Sequence, residues 1–458
     1  MSSSKAQSLG PNVRVGVLQK VPRVRFMANQ ILDVFAADEK TRLGEIPAKT
    51  ECIAVLADAV AARIAYRVRL GVFDHPDDAT QILDDPALAS CSGKVKAAGR
   101  PMLVAGETIS DNREYWALTG EFATEHDAQT LWDTLSPKYP EALVMKDVLV
   151  PPKGRVQILE SQSGKVLFES DRKIRVSPRD FTKTRIAIYD VIVGIEFHWE
   201  HKETQAFRGL YDFVVDNSGA LTAVNELSLE EYLYSVNSSE MLSICPEELL
   251  KAQTVCARNT ILATVARHHV DDAFDICADD HCQCYRGSTR EAPSSVKTAN
   301  ETRGEVLVFE GKVCDTRYSK ICGGIMEPAV NVWWEGHIPY LDAGKDAAAQ
   351  QAESISYVTN EQQAKAWIDS TPSVFCNTQV ENLPEELHYA RKYFRWRVEY
   401  QRTELENLIK ERANVDVGTV LDLVPVERGQ SGRIMWLDIV GTSGTKRIGK
   451  ELAIRRAL

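Results

Sequence analysis

Hydrophobic positions near the start of the chain alternate, as in strands. Val13-Arg14-Val15-Gly16-Val17-Leu18 predicts one strand and Val24-Arg25-Phe26 the next. Two later stretches share a plan. Tyr66-Arg67-Val68-Arg69-Leu70-Gly71-Val72-Phe73 leads to Asp78-Ala79, and Tyr115-Trp116-Ala117-Leu118-Thr119-Gly120-Glu121-Phe122 leads to Asp127-Ala128. Each predicts a strand ending in Gly-x-Phe, then a polar turn, then a helix, so residues 62–150 form a quasi-repeat. Pro151-Pro152-Lys153-Gly154 marks a boundary. Beyond it, strands are predicted at Val156–Leu159, Val166–Phe168, Ile186–Tyr189 and Phe213–Val215, with a tight turn at Asp216-Asn217-Ser218-Gly219.

The period changes at Ser228. Ser228 and Glu231 form a capping box, and Leu229, Tyr232 and Leu233 follow at helical spacing. Asn237-Ser238-Ser239 is expected to end that helix. Pro246, Glu247 and Glu248 open another, with Leu249, Ala252, Cys256, Asn259 and Ala263 on its small, mostly apolar face. Glu240 is expected in the loop between them, beside Met241, Leu242 and Ile244. Desolvation by such neighbours raises a carboxyl pKa and makes a general acid usable near neutral pH. A capping or salt-bridging role is the alternative. Further on, Thr302–Phe309 and Val313–Ser319 predict strands joined by a Glu-Gly turn. A helix is predicted at Ala364–Ile368, a strand at Phe394–Tyr400, a helix from Thr403, and a hairpin turn over Arg428–Ile434.

Composition narrows the functions. The 458 residues are enough for two or three domains. A net charge of −11, from 65 acidic and 54 basic residues, argues against a nucleic-acid binder. It leaves a glycan ligand open. No run approaches transmembrane length, and MSSSKAQSLGPNVRVGVL holds no apolar core of signal-peptide length. Ten cysteines are too sparse for a disulfide scaffold. Cys52 and Cys91 are expected to be small buried hydrophobes. Cys277, His281 and Cys282 offer the thiolates and imidazole that zinc prefers, with His269, His268 or Cys284 as the fourth ligand. A Cys277–Cys282 disulfide or unreacted thiols are the alternatives.

The central motif carries a resemblance. Val224-Asn225-Glu226-Leu227-Ser228-Leu229-Glu230-Glu231-Tyr232-Leu233, Ser239-Glu240-Met241, Leu250-Lys251-Ala252-Gln253 and Ala257-Arg258 resemble the signature of the SpoIID family. That family includes the amidase-enhancer (LytB-type) domains. One departure is that its usual Val-Pro-Ser-Glu-Met reads Asn237-Ser238-Ser239-Glu240-Met241 here. The resemblance spans most of 150–458 and the first strands. It implies an α+β fold with a β-rich SpoIID-type catalytic domain built on a central helix pair. The expected plan is a disordered tail at 1–10, opening strands at 11–50, a module at 62–150 and the catalytic domain at 151–458. The module resembles a SPOR domain, a βαββαβ unit that binds glycan lacking stem peptides; a ligand-free strand–helix repeat is the alternative.

By resemblance the protein is a peptidoglycan lytic transglycosylase, with Glu240 as the lone catalytic residue and 1,6-anhydro-muramic ends as product. Asp315 and Glu327 are the acids that folding could bring near it. Gln253, Arg258, Gln283, Tyr318, Ser319, Gly323 and Gly324 match positions expected to bind substrate, and Trp333 and Trp334 offer a sugar-stacking surface. For Gln253 and Arg258 a structural anchor is the alternative, and for the glycines a tight turn. Some members hold a structural zinc with two Cys and two His, which implies Cys277, His281, Cys282 and His269 here. The expected partners are peptidoglycan strands and a cell-wall amidase, in the cell envelope. The missing leader leaves a cytoplasmic location open. The competing function is a peptidoglycan-binding amidase enhancer without turnover.

Overall fold

The computed structural model describes residues 10–195, 200–333 and 336–458. Residues 1–9 of the expected tail, and Trp334, lie outside the described residues. The fold is mixed and strand-rich. The chain divides after Thr316 into two compact units, where the sequence pattern suggested one domain from 151 to the end. Each unit closes its own cores, and no strand of one pairs with a strand of the other among the described residues.

The first unit is built on two sheets. One runs in the order Ile276–Cys277, Asn12–Val21, Leu221–Ser228, Leu210–Val215, Lys173–Pro178, Leu32–Phe35 and Arg42–Ile46. The other runs Val166–Asp171, Lys153–Glu160, Glu51–Val60, Arg23–Ala28, Ile186–Val193 and His201–Phe207. Pairing is antiparallel except at Ile276–Cys277. Burial alternates along Arg23–Ala28 and Lys173–Pro178, as a two-residue period requires. The inward side chains of both sheets meet in one core, with Phe26 and Phe213 ring centroids 4.7 Å apart.

Residues 63–150 form a third, antiparallel sheet in the order Leu143–Val150, Arg63–Phe73, Glu114–Phe122, Gly93–Ala98. Two helices, α1 (Pro76–Leu83) and α2 (Glu125–Leu135), complete a βαββαβ plan. The hairpin Pro101–Val104/Glu107–Asp111 is inserted between the halves. The Gly-x-Phe repeat has a packing cause. A Cβ on Gly71 would stand 3.0 Å from the Phe73 ring, and one on Gly120 2.4 Å from Phe122. Each Phe folds back over its glycine, and Gly120 also takes φ +72°, which glycine adopts without strain.

Polar contacts join this module to the loop that precedes Ile276. Lys96 Nζ reaches Asp271 at 2.6 Å, Arg100 Nη2 reaches Asp275 at 2.6 Å, and Asn112 Nδ2 donates to Val265 O at 2.9 Å. Behind Lys96 lies Asp147, fully buried among Arg67, Lys94 and Lys96 at 2.8, 2.9 and 2.9 Å. Burial pushes the Asp147 pKa up, but the cations more than offset it and hold it at about 2.

Helices α3 (Leu229–Glu240), α4 (Glu247–Thr264) and α5 (Pro293–Glu301) follow the sheets. Ser228 caps α3 by accepting from Glu231 N at 3.3 Å. The expected break at Asn237-Ser238-Ser239 does not occur, and α3 continues to Glu240. The polar side chains are accommodated without a break. Asn237 Nδ2 donates to Leu250 O at 2.9 Å, and Ser238 Oγ bonds back to Tyr234 O at 3.3 Å. The long strands expected at 302–319 shrink to Val308–Phe309 paired with Lys312–Val313. Asn259 on α4 takes over their backbone groups, donating to Leu307 O and Cys314 O and accepting from Leu307 N.

The second unit holds the three-stranded sheet Val420–Arg428, Ile434–Gly441 and Gly444–Gly449. Its core includes Ile409, Val417, Leu437 and Ile439. The helices at Glu361–Ile368 and Arg402–Ala413 stand where periodicity predicts them. The strand expected at Phe394–Tyr400 is absent. Phe394 ends a short helix, and Arg395 folds over its ring at 4.1 Å to reach Gly323 O and Trp367 O.

Candidate functional site

Glu240 is the last residue of α3 and is half-buried. The apolar flank anticipated for it is only partial, because Leu242 and Ile244 are exposed. Its Oε1 accepts the backbone N–H of Cys284 at 2.7 Å. That bond orients the carboxylate from a loop outside the helix pair.

Cys284 is itself held by its neighbour. Gln283, buried between the helices, accepts from Tyr232 OH on α3 at 3.1 Å and donates to Ala257 O on α4 at 3.2 Å. Arg286 N donates to Ser235 Oγ at 3.2 Å, and Tyr285 OH to Asn225 Oδ1 at 2.7 Å. Gln283 is 1% exposed, so it positions the Cys284 backbone and does not line a sugar site. Cys284 forms no part of the four-residue cluster below. Its thiol is pushed up to about 12 by burial and by the Glu240 carboxylate.

Arg258 is also 1% exposed. Its guanidinium makes a bidentate pair with Glu230 at 2.9 and 2.7 Å and reaches Glu305 O at 3.2 Å. The pair ties α4 to α3, so Arg258 is an anchor and does not face a groove. Gln253 differs: its Nε2 is buried without a hydrogen-bond partner. Of the two acids considered beside Glu240, Asp315 is buried at 8% exposure. Glu327, in the second unit, accepts from Asn331 Nδ2 and Ser431 N.

The ligand atoms of His269, Cys277, His281 and Cys282 lie within 4.8 Å of one another. His281 Nδ1 is 3.9 Å from Cys277 Sγ and 3.6 Å from Cys282 Sγ. His269 Nδ1 bonds to Asp272 at 2.8 Å, while its Nε2 is buried without a partner. A carboxylate on Nδ1 fixes the tautomer whose Nε2 lone pair is available to a metal. Cys277 is pulled far below the usual thiol range, first by Cys282 and then by the two histidines, while the same contact and burial push Cys282 up. His268 packs edge-on to His281, and burial lowers it to about 4. The donor set and the orphaned Nε2 fit a tetrahedral zinc. Asp272, three residues after His269, is a bracing residue whose i,i+3 spacing is visible in the sequence.

Tyr318, Ser319, Gly323 and Gly324 belong to the second unit. Gly323 and Gly324 take φ +72° and +101°, and a Cβ on Gly324 would stand 2.9 Å from Trp367. They make a tight turn against that ring. Trp333 caps the short helix Ala329–Val332, and the Arg317 guanidinium covers its ring at 4.4 Å.

Comparison with known proteins bears on these segments separately. Residues 217–309 match the family model described as stage II sporulation protein, SpoIID. Residues 327–458 match a different one, described as a domain of unknown function, DUF8618. The SpoIID match thus covers 217–309 of the longer span, most of 150–458, over which the resemblance is expected. An uncharacterized protein of Brachyspira hyodysenteriae is 35% identical over 121 residues, 26% of this chain and 33% of the relative. The amidase enhancer of Bacillus subtilis is 34% identical over 119 residues, 26% of this chain and 16% of the relative. The chain thus spans a third or less of the curated relatives it matches.

Proposed function

We propose that this chain, whose residues 217–309 match the SpoIID family model, acts on the cell wall as a peptidoglycan lytic transglycosylase. The observation that carries the reading is Glu240 at the end of α3, its Oε1 fixed by the Cys284 N–H. As general acid, Glu240 protonates the glycosidic oxygen between two amino sugars, and that C–O bond breaks. The resulting carboxylate takes the proton of the muramic C6 hydroxyl, whose oxygen closes onto the anomeric carbon. Atoms balance with no water consumed, and the glycan keeps a 1,6-anhydro end. Most glycosidases need a second carboxylate; here the substrate supplies the nucleophile. Gln253, on α4, is the first-unit candidate for a sugar contact by resemblance. In the same reading the 62–150 module is a SPOR-like glycan holder, supported by its topology alone.

Zinc, when bound to Cys277, His281, Cys282 and His269, supplies a crosslink and no open coordination position. The chain's own residues carry its effect onward. Cys282 is followed by Gln283, wedged between α3 and α4, and then by Cys284, whose N–H holds Glu240. An extracytoplasmic location belongs to this proposal. Among the described residues, no helix is long and apolar enough to cross a membrane.

The name of the Bacillus subtilis relative favours a second reading, a wall-binding protein that stimulates an amidase without cleaving glycan. Digestion of purified peptidoglycan, read by mass spectrometry, separates the two. The first reading requires 1,6-anhydro products. Glycan left intact while an added cell-wall amidase is stimulated would replace it with the second.

A further inference from the structure

A second cluster of ligand-type side chains lies in the second unit, outside everything used so far. Cys322 Sγ, Cys376 Sγ and a carboxylate oxygen of Asp346 lie within 4.8 Å of one another. We propose that these residues form a second zinc site, with three protein ligands and a fourth position left to solvent or to a bound group. The proposal does not rest on the SpoIID reading, since all its residues lie beyond the segment that reading covers.

Four observations support it. First, the sulfurs are 3.5 Å apart. Two thiolates on one tetrahedral zinc, at about 2.3 Å each, stand roughly 3.8 Å apart; a disulfide brings sulfurs to about 2 Å. Second, the backbone is arranged around the carboxylate. Asp346 N donates to Gly324 O at 3.1 Å, Phe375 N donates to Asp346 O at 2.7 Å, and Cys376 N donates to Asp346 Oδ2 at 2.9 Å. Asp346 therefore holds both cysteine loops as well as offering a ligand. Third, Cys322 opens a Cys-Gly-Gly turn whose glycines both take positive φ, which turns the chain back sharply beside its sulfur. Fourth, two cations flank an otherwise anionic donor set: Arg433 Nη2 donates to Cys322 O at 2.8 Å and Arg395 Nη1 to Gly323 O at 3.3 Å. Thiolate ligands select zinc over magnesium or calcium. All three side chains are only half-buried, so an ion can reach them. A site with three protein ligands has the open position that catalytic zinc sites keep and structural ones lack.

Peptide-resolved alkylation of the full chain tests the proposal without altering a residue. The protein is purified under reducing conditions and supplied with zinc alone. It is then alkylated with and without a chelator, and Cys322 and Cys376 are followed on their own peptides. The expected result is protection of both thiols that chelation removes, and a loss of about one zinc per chain in the Cys322→Ser/Cys376→Ser variant. Asp346→Asn, which keeps both sulfurs, should release zinc to a competing chelator at least tenfold more readily. Equal labelling with and without chelator overturns the site. So does protection that only a reductant removes, which would make the pair a disulfide. Cys277 and Cys282 are read separately, so failure at one cluster leaves the other's result standing.

Discussion

The chain places two cysteine clusters on different kinds of scaffold. In the first unit the ligand residues fall between His269 and Cys282, within one loop and a two-residue strand. They are four in number, and Asp272 braces one of them from outside. In the second unit Cys322, Asp346 and Cys376 come from three separate segments, and their shared support is the backbone of Asp346. The first cluster is closed and continues through Gln283 and Cys284 to Glu240. The second offers three ligand-type side chains where the first offers four. A closed set of ligands near each other in sequence holds a loop in place. An open set gathered by folding leaves room for a ligand.

The sharpest way to break this comparison is Glu240→Gln. If the first cluster only positions and Glu240 does the chemistry, cleavage should fall by about 10²-fold or more while zinc content stays that of the parent. Unchanged turnover by a folded Gln protein would remove Glu240 from the mechanism. Next comes Asp147→Asn, which removes the fully buried carboxylate shared by Arg67, Lys94 and Lys96; Lys94 is 40% exposed, and Arg67 and Lys96 keep Glu121 and Asp271. The cost is about 3 kcal/mol, the low end for a broken buried network, read as a lower denaturation midpoint. The sign with pH follows from its depressed pKa. The stabilisation is present above the unfolded value near 4 and is lost as pH falls towards about 2. The parent should therefore lose more stability than the variant across that window; parallel curves would mean the network contributes nothing. Third is Cys282→Ser, or chelation. Stability should drop by about 2 kcal/mol, a fraction of the roughly 10 that zinc lends a small module, because the two-sheet core persists. Cleavage should fall with it. Activity lost at constant stability would instead put the metal in the chemistry.

Local signals were legible in the sequence, and long-range pairings were not. The capping box at Ser228, the alternating strands and the repeat in 62–150 all depend on neighbours a few residues away. The four residues of the first cluster likewise lie close together in sequence, between His269 and Cys282. Asn237-Ser238-Ser239 looked like a helix end because its partners, Leu250 O and Thr254 Oγ1, lie on the next helix. Arg258 looked like a groove residue because its partner Glu230 is 28 positions away. The strands at 302–319 were overextended because Asn259 intercepts their backbone groups. Cys322 and Cys376 lie 54 positions apart, and no spacing pattern joins them.

The smallest effect separates the two clusters by their outer shells. Asp272 accepts from His269 Nδ1 at 2.8 Å and touches none of the sulfurs as a ligand. Asp272→Asn keeps an acceptor of nearly the same shape and removes the charge. The His269 ring should stay in place, but its Nε2 becomes a weaker donor to the metal. Outer-shell carboxylates typically change metal affinity by about 10–100-fold. Asp272 is 39% exposed, so solvent screens much of its charge, and the lower end, about tenfold, is expected here. Competition with a chromophoric chelator on the zinc-loaded chain measures it, with Cys322 and Cys376 alkylation as an internal reference that should not move. An unchanged affinity at the first cluster would show that His269 is not a ligand. His268, whose ring centroid is 5.6 Å from that of His281, would then be the histidine to substitute.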